Sequence, residues 1–338
     1  MIVIGLDHGN TKVKGRSEDR EWIRPSAFAR PEDFGEEGIA GGQKLRLKQF
    51  VSNKFEDETY VWGEDVGEAS RLIPTYTTEN RYTQKAYRLL SEFSLAELLP
   101  KGKKTFDNVL VVTGCPSTEK GTKLEDELEQ VFAGGHVVKV DGETKMVDVA
   151  QVIVLPQPLG TVLSLYLDDE GYVADESYEE DYVGVIDIGG GTTDLDGIKG
   201  LKRQKEDTET IPEGMFDAYK RIAAFINQQK PEAKATPQSV EQQILNGSDT
   251  YVISKRSSID IKQVKEEAFR DFAEYLIAQI NTSWKNRAKF DKLLLTGGGA
   301  APLAPYFKAW EKDIIVVKDG QKANATGFYR YGKFKARG

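Results

Sequence analysis

Two stretches of this chain repeat one design, and together they constrain the fold more than any other feature. Val183 to Leu195 reads as an apolar strand that ends in Asp187 and then turns on Gly189, Gly190, Gly191, Thr192 and Thr193. Ile2 to Lys14 reads the same way: an apolar strand, Asp7 at its end, Gly9 two residues on, and a polar hairpin tip at Asn10 and Thr11. A turn of this composition presents backbone N–H groups and hydroxyls to an anion, while the strand-end carboxylate stays close by for a cation. Two such loops in one chain suggest two jaws that close on a metal-bound polyphosphate.

The length leaves room for both jaws to be domains, since 338 residues suffice for two ordinary cores. A hydrophobic fraction of 39% and a charged fraction of 30% fit a water-soluble globular chain. No apolar run approaches the roughly 20 residues that span a bilayer, so no membrane contact is expected. The first residues form a strand pattern rather than a secretory signal, and the single cysteine, Cys115, excludes an internal disulfide. Both point to the cytoplasm. The net charge is −8, from 46 basic and 54 acidic residues. That argues against direct DNA binding by the surface at large, because phosphate contacts need clustered Lys and Arg. The locally basic end, Arg330 to Gly338, is read as a frayed, solvated terminus.

Strands and helices alternate along the chain. The pattern predicts a hairpin over 2–7 and 12–16, a mobile surface loop from Pro25 to Gly42, a strand at Thr59–Gly63 and a helix from Gln84 to Leu99. A buried strand at Val109–Thr113 precedes an amphipathic helix from Glu119 to Phe132. Strands follow at 136–140 and 145–154, then a helix from Pro158 to Leu167 and a solvated acidic connection from Asp168 to Asp181. In the second half, helices are expected over Gly214–Ile226, Ser239–Leu245 and Val264–Trp284. Pro231 to Pro237 reads as a linker, and strands fall at Thr250–Ser254 and Leu293–Thr296. This alternation indicates parallel sheets in an α/β architecture, whose ligands sit at the carboxyl ends of strands. Both acid–glycine loops lie at such ends, and so does a third glycine run, Gly297, Gly298 and Gly299.

Chemistry assigns provisional roles. Magnesium is held by one or two carboxylates together with substrate phosphates and several waters. Asp7 and Asp187 meet that need, acting through water. Gly9, Asn10, Thr11 and Gly189 to Thr193 would offer donors to phosphate oxygens. Either Lys14 or Lys12 could reach the phosphates as a point charge, since strand alternation puts both on one face. His8 reads as a tip residue pointing to solvent. Gly297 to Gly299 lack a nearby lysine, so they form no P-loop, but bare backbone there suits a flat ring and an adenosine-side role.

The order of these features carries a resemblance. Two Asp-x-Gly loops, a helix opened by Gln157-Pro-Leu-Gly, and Thr296-Gly-Gly-Gly-Ala resemble the actin, sugar-kinase and heat-shock chaperone superfamily over nearly the whole chain. Val111-Val-Thr-Gly-Cys-Pro, Tyr60-Val-Trp-Gly-Glu-Asp and the ending from Ala323 to Gly332 resemble the plasmid-segregation actins of the ParM/StbA type. The resemblance implies two related ribonuclease-H-like domains of the actin fold with a nucleotide cleft between them. Domain I would be 1–155 plus 320–338, with a small insertion at about 24–90. Domain II would be 156–319, with an insertion at about 210–260. Asp7 and Asp187 match the magnesium-side acids, and Lys14 rather than Lys12 matches the phosphate lysine. Gln157 matches the residue that orients the attacking water. Many relatives carry Glu there, so Gln favours positioning of water over proton abstraction. Gly214 and Met215 match a helix start near the base, and Glu241 and Gln242 a helix that contacts ribose or base.

The function so implied is a filament-forming ATPase or GTPase that uses magnesium and segregates plasmid DNA. The partners would be further copies of itself and a small DNA-binding adaptor of the ParR type on a centromere-like site. Loops such as 31–48 and 168–181 would contribute to filament contacts. The alternatives are a non-polymerising nucleotide switch or a small-metabolite kinase on the same fold. A kinase needs a further catalytic Asp on a strand-end loop, and none is evident.

Overall fold

The computed structural model of the chain describes residues 1–35, 44–55, 58–76, 80–245 and 247–337. They divide into two compact units, Met1–Glu176 with Lys322–Gly338, and Ser177–Gln321.

In the first unit the strands are β1 (Ile2–His8), β2 (Lys12–Arg16), β3 (Glu21–Pro25), β4 (Ala27–Phe28), β5 (Leu47–Ser52), β6 (Thr59–Gly63), β7 (Ile73–Pro74), β8 (Thr105–Cys115), β9 (Gly134–Val140) and β10 (Glu143–Pro156). Three helices accompany them, α1 (Lys85–Leu98), α2 (Lys123–Phe132) and α3 (Gln157–Tyr166). Eight strands form one sheet in the order β3-β2-β1-β8-β10-β9-β5-β6, and β4 pairs with β7 apart from it. β1, β8 and β10 run parallel at its centre. Val109 to Val112 are all apolar because both faces there are covered. One face packs Ile4, Leu6 and Val111 with Phe50, Trp62 and Phe93; the other packs Val3, Leu110 and Val112 against Phe328 and Tyr329.

The second unit carries β11 (Tyr182–Ile188), β12 (Thr193–Lys199), β13 (Lys202–Ile211), β14 (Thr250–Ser254), β15 (Ser257–Asp260), β16 (Lys292–Thr296) and β17 (Ile315–Val316). Its helices are α4 (Met215–Gln229), α5 (Pro237–Leu245), α6 (Lys262–Ser283) and α7 (Ala300–Trp310). Five strands form a sheet in the order β13-β12-β11-β16-β17, with β14 and β15 paired separately. Ile186, Ile188, Leu195 and Leu295 bury against Tyr219, Ile222, Leu276 and Phe307.

The chain then returns to the first unit as α8 (Ala323–Arg337). It crosses β1 where a Cβ on Gly5 would lie 2.5 Å from the Tyr329 nitrogen. It also crosses α3 where Gly327 meets the Gly160 carbonyl with no room for a side chain. Arg330 donates to the carbonyls of Ser164 and, at 2.9 Å, Leu167, which satisfies the open C-terminal end of α3. The basic end is therefore helical and docked through Arg337, not frayed.

The helix after β8 starts at Lys123, because the Thr122 hydroxyl accepts from the Leu124 N–H as an N-cap; Glu119 to Thr122 are turns. Of the Pro25–Gly42 segment, Ala27–Phe28 is a strand and Pro31–Asp33 a 3-10 turn, while 36–42 lie outside the described residues. The acidic connection 168–181 contains a 3-10 turn, Glu176–Glu179, with Tyr178 buried. Among the described residues no helix is long and apolar enough to cross a membrane.

Candidate functional site

The first candidate loop is the β1–β2 hairpin. The Gly9 N–H donates to the Lys12 carbonyl at 3.1 Å, which closes a four-residue turn. A Cβ on Gly9 would stand 3.0 Å from both that carbonyl and Lys14 Nζ, so the tight tip and the lysine together favour glycine. Asp7 and Lys14 face each other across the ladder. Their ion pair closes at 3.0 Å, with the Asp7 side chain 3% exposed. The other Asp7 oxygen accepts from Gln157 Nε2, at the first position of α3, at 2.8 Å. Both oxygens of this buried acid are thus engaged. Gln157 gives one N–H to Asp7 and keeps its amide oxygen as an acceptor and its second N–H as a donor. Asn10 is exposed and accepts from Arg81 at 3.0 Å; Thr11 is half-buried.

His8 does not point to solvent. β1 continues through it, and strand alternation turns it to the same face as Leu6, towards α1. It stacks on Tyr87 with ring centres 4.1 Å apart, and its Nε2 lies 3.2 Å from the Thr75 hydroxyl. Burial first, and then the charges of Arg81 and Lys14, hold its pKa well below the ordinary 6.5.

The second candidate loop repeats the turn with a different partner. The Gly189 N–H donates to the Thr192 carbonyl at 2.9 Å, but across the ladder Asp187 faces Asp194. Burial raises the Asp194 pKa, against hydrogen bonds from Thr210 (2.6 Å) and Thr192 (3.3 Å) that favour the charged form. Asp187 and Asp194 thus stand opposite each other on adjoining strands. The Thr193 hydroxyl is buried and donates to the Glu213 carbonyl at 3.0 Å.

Three glycine segments of the second unit converge here. The first N–H groups of α4, at Met215 and Phe216, donate to the carbonyls of Gly189 (3.0 Å) and Gly190 (2.8 Å). A Cβ on Gly214 would lie 2.6 Å from the Gly190 carbonyl. The Gly299 N–H donates to Ile188 at 2.9 Å. Gly297 takes a φ of +85° and abuts the Asp187 carboxylate, so no other residue fits easily. Gly298 faces the amide of Gln321. Glu241 and Gln242 are on α5, which packs on α4; Glu241 lies near Tyr219 and Gln242 is exposed.

Sequence reasoning missed Asp194, Arg81 and Gln321, and also Glu213, whose Oε2 is buried with no hydrogen-bond partner. Asp194 had a signal: it follows Asp187 by the same seven residues that separate Lys14 from Asp7. Gln321 and Arg81 are joined to the loops only by the fold.

Among the described residues no group of three or more His, Cys, Asp or Glu is placed to hold a metal by itself. Asp7 and Asp187 are each a single carboxylate at the foot of a glycine turn, a donor type that would suit magnesium carried largely by phosphate oxygens and water.

Residues 5–160 match the family model described as actin like proteins N terminal domain, and residues 185–309 that described as archaeal actin homologue MreB-like, C-terminal. Among solved structures, the apo psk41 ParM protein is similar over 99% of this chain and 98% of its own, with a TM-score of 0.79 and 26% identity. An archaeal actin homolog in complex with ADP aligns over 100% of both chains, with a TM-score of 0.75 and 18% identity. A chain of a 15-stranded ParM filament from Clostridium botulinum aligns over 98% of this chain and 99% of its own, with a TM-score of 0.75 and 20% identity. No curated protein matches the chain.

Proposed function

This chain belongs to the actin-like superfamily, and we propose that it is a nucleotide-dependent, filament-forming ATPase or GTPase that segregates plasmid DNA through a DNA-binding adaptor. The observation that carries the nucleotide reading is the buried Asp7 carboxylate, held by Lys14 on one oxygen and Gln157 on the other at the foot of a glycine turn. In this reading the jaws are an actin-type domain I, residues 1–155 with 320–338, and a domain II, residues 156–319. Lys14 offsets phosphate charge at the first jaw. Asn10 and Thr11 there, and Gly190, Gly191 and Thr192 on the second, donate to phosphate oxygens, while Gly9, Gly189 and Thr193, whose donors are spent on the Lys12, Thr192 and Glu213 carbonyls, shape the two loops around them. Gly297 to Gly299, Gly214 and Met215 serve the nucleoside side, and Glu241 and Gln242 lie on the helix that contacts ribose or base. Asp7 and Asp187 would hold magnesium through water, and the ion would supply positive charge against the phosphates.

Gln157 has no basic atom to take a proton. With one N–H fixed on Asp7, its amide oxygen accepts a hydrogen bond from water and orients it. Phosphoryl transfer depends mainly on position and charge, so slow turnover without a strong base is coherent.

Assembly is supported by likeness to ParM chains, one of them determined within a filament. The ADP complex of the archaeal homolog supports a purine nucleotide as ligand. Segregation through an adaptor of the ParR type on a centromere-like site draws on the same likeness, and a net charge of −8 accords with delegated DNA contact. Electron microscopy of the full-length protein with magnesium-ATP and with magnesium-GTP is expected to show filaments with at least one of them. Asp187→Ala should abolish them together with hydrolysis; unchanged nucleotide binding and hydrolysis in that variant would sink the site assignment.

A further inference from the structure

The tip of the first hairpin is anchored by a residue far away in the chain. Arg81 opens the 3-10 turn Arg81–Thr83 just ahead of α1, and its side chain is 13% exposed. One guanidinium nitrogen donates to Asn10 Oδ1 at 3.0 Å and the other to the Tyr82 hydroxyl at 2.7 Å. Tyr82 donates onward to Glu119, whose carboxylate stands 4.0 Å from Arg81. The guanidinium also lies over the rings of Tyr82, at 4.8 Å, and Tyr87, at 5.6 Å. Tyr87 is the ring on which His8 stacks. Arg81 is thus held on several sides before it reaches Asn10.

A guanidinium carries donors and no acceptor. Asn10 therefore turns its amide oxygen to Arg81, which sends its NH2 group the other way. Without such a partner an exposed asparagine samples both orientations, and one of them meets an anion with an oxygen. We propose that Arg81 is a positioning residue for phosphate, fixing the Asn10 amide as a donor beside Gly9 and Thr11. The inference rests on the nucleotide reading of this tip. Arg81 acts through Asn10, and the two residues should behave as one unit.

A double-mutant cycle on the full-length protein tests this, read by calorimetry as affinity for Mg·ADP and Mg·GDP. Arg81→Met keeps a stem over the tyrosines and removes the donors. In the wild-type background it should weaken the tighter of the two nucleotides about tenfold, the scale of one hydrogen bond to a charged ligand. In an Asn10→Ala background the same change should cost no more than about twofold, because the group it positions is gone. Equal weakening in both backgrounds, or none in the wild type, overturns the proposal. Asn10→Asp supplies a second arm: it keeps the pair with Arg81, so the thermal midpoint should hold while nucleotide affinity falls. Wild-type affinity in that variant also overturns the proposal, and this arm decides alone if Arg81→Met does not fold. Should Asp7→Ala leave nucleotide binding unchanged, the nucleotide reading itself has failed and takes this inference with it. Loss of binding in Asp7→Ala with no effect of Arg81→Met defeats only the role of Arg81.

Discussion

Asp7 and Asp187 close the same turn on opposite electrostatic terms. Each stands two residues before a glycine whose N–H reaches the carbonyl three residues on, yet the ladder sets Lys14 against one and Asp194 against the other. The acid–glycine spacing is legible in one dimension because it belongs to a single local turn. The environment of the neighbouring residue is not: His8 reads as a solvent-facing tip until α1, Thr75 and Tyr87 close over it. Its burial has a consequence for pH. The folded protein holds His8 neutral, and the unfolded chain takes up a proton below about pH 6.5, so the unfolded state binds more protons there and stability falls as pH falls. Denaturation of wild type and His8→Phe should diverge between about pH 7 and 5, the wild type losing on the order of 1 kcal/mol more; parallel curves would mean that His8 is not held neutral. Gln157 gives a second prediction at this scale. Gln157→Ala should lower kcat tenfold or more while shifting KM by less than about threefold. Equal loss in both would contradict a role in placing water.

The strands at the centre of each sheet and the longer helices can be read from apolar periodicity, because burial on both faces or on one stripe leaves its mark. The elements that escaped did so for physical reasons. β13 holds eight consecutive polar or charged residues, Lys202 to Glu209, because it lies at a sheet edge, where the ladder rather than a core face holds it. α8 looks like a polar tail because its contacts are made by Gly327, by aromatics and by Arg330 rather than by a leucine stripe. The glycine run after β16 was legible as a turn, but which glycine is indispensable depends on backbone conformation. Gly297 has a positive φ and lies against Asp187, whereas Gly298 has only the Gln321 amide within 3.3 Å. Gly297→Ala should therefore cost about 2 kcal/mol or more in chemical denaturation and impair nucleotide binding, and Gly298→Ala should cost well under 1 kcal/mol. Equal costs would show that the turn does not depend on the left-handed residue.

For the whole molecule, the charge balance and the missing bilayer-length apolar run were enough to exclude broad DNA binding and membrane insertion as expectations. The order of motifs then carried the superfamily. Contacts such as Asn10 with Arg81, 71 residues apart, lie beyond any reading of spacing. If the protein works as proposed, nucleotide governs assembly, and hydrolysis organised at Gln157 is expected to destabilise the filament. The most direct measurement follows light scattering and phosphate release together in one sample after adding magnesium-ATP or magnesium-GTP to wild type and Gln157→Ala. Scattering should rise first and phosphate release follow, with wild-type polymer decaying as nucleotide is spent and Gln157→Ala polymer persisting. Phosphate release at full rate without any rise in scattering, or polymer that decays equally fast in both proteins, would contradict the proposal.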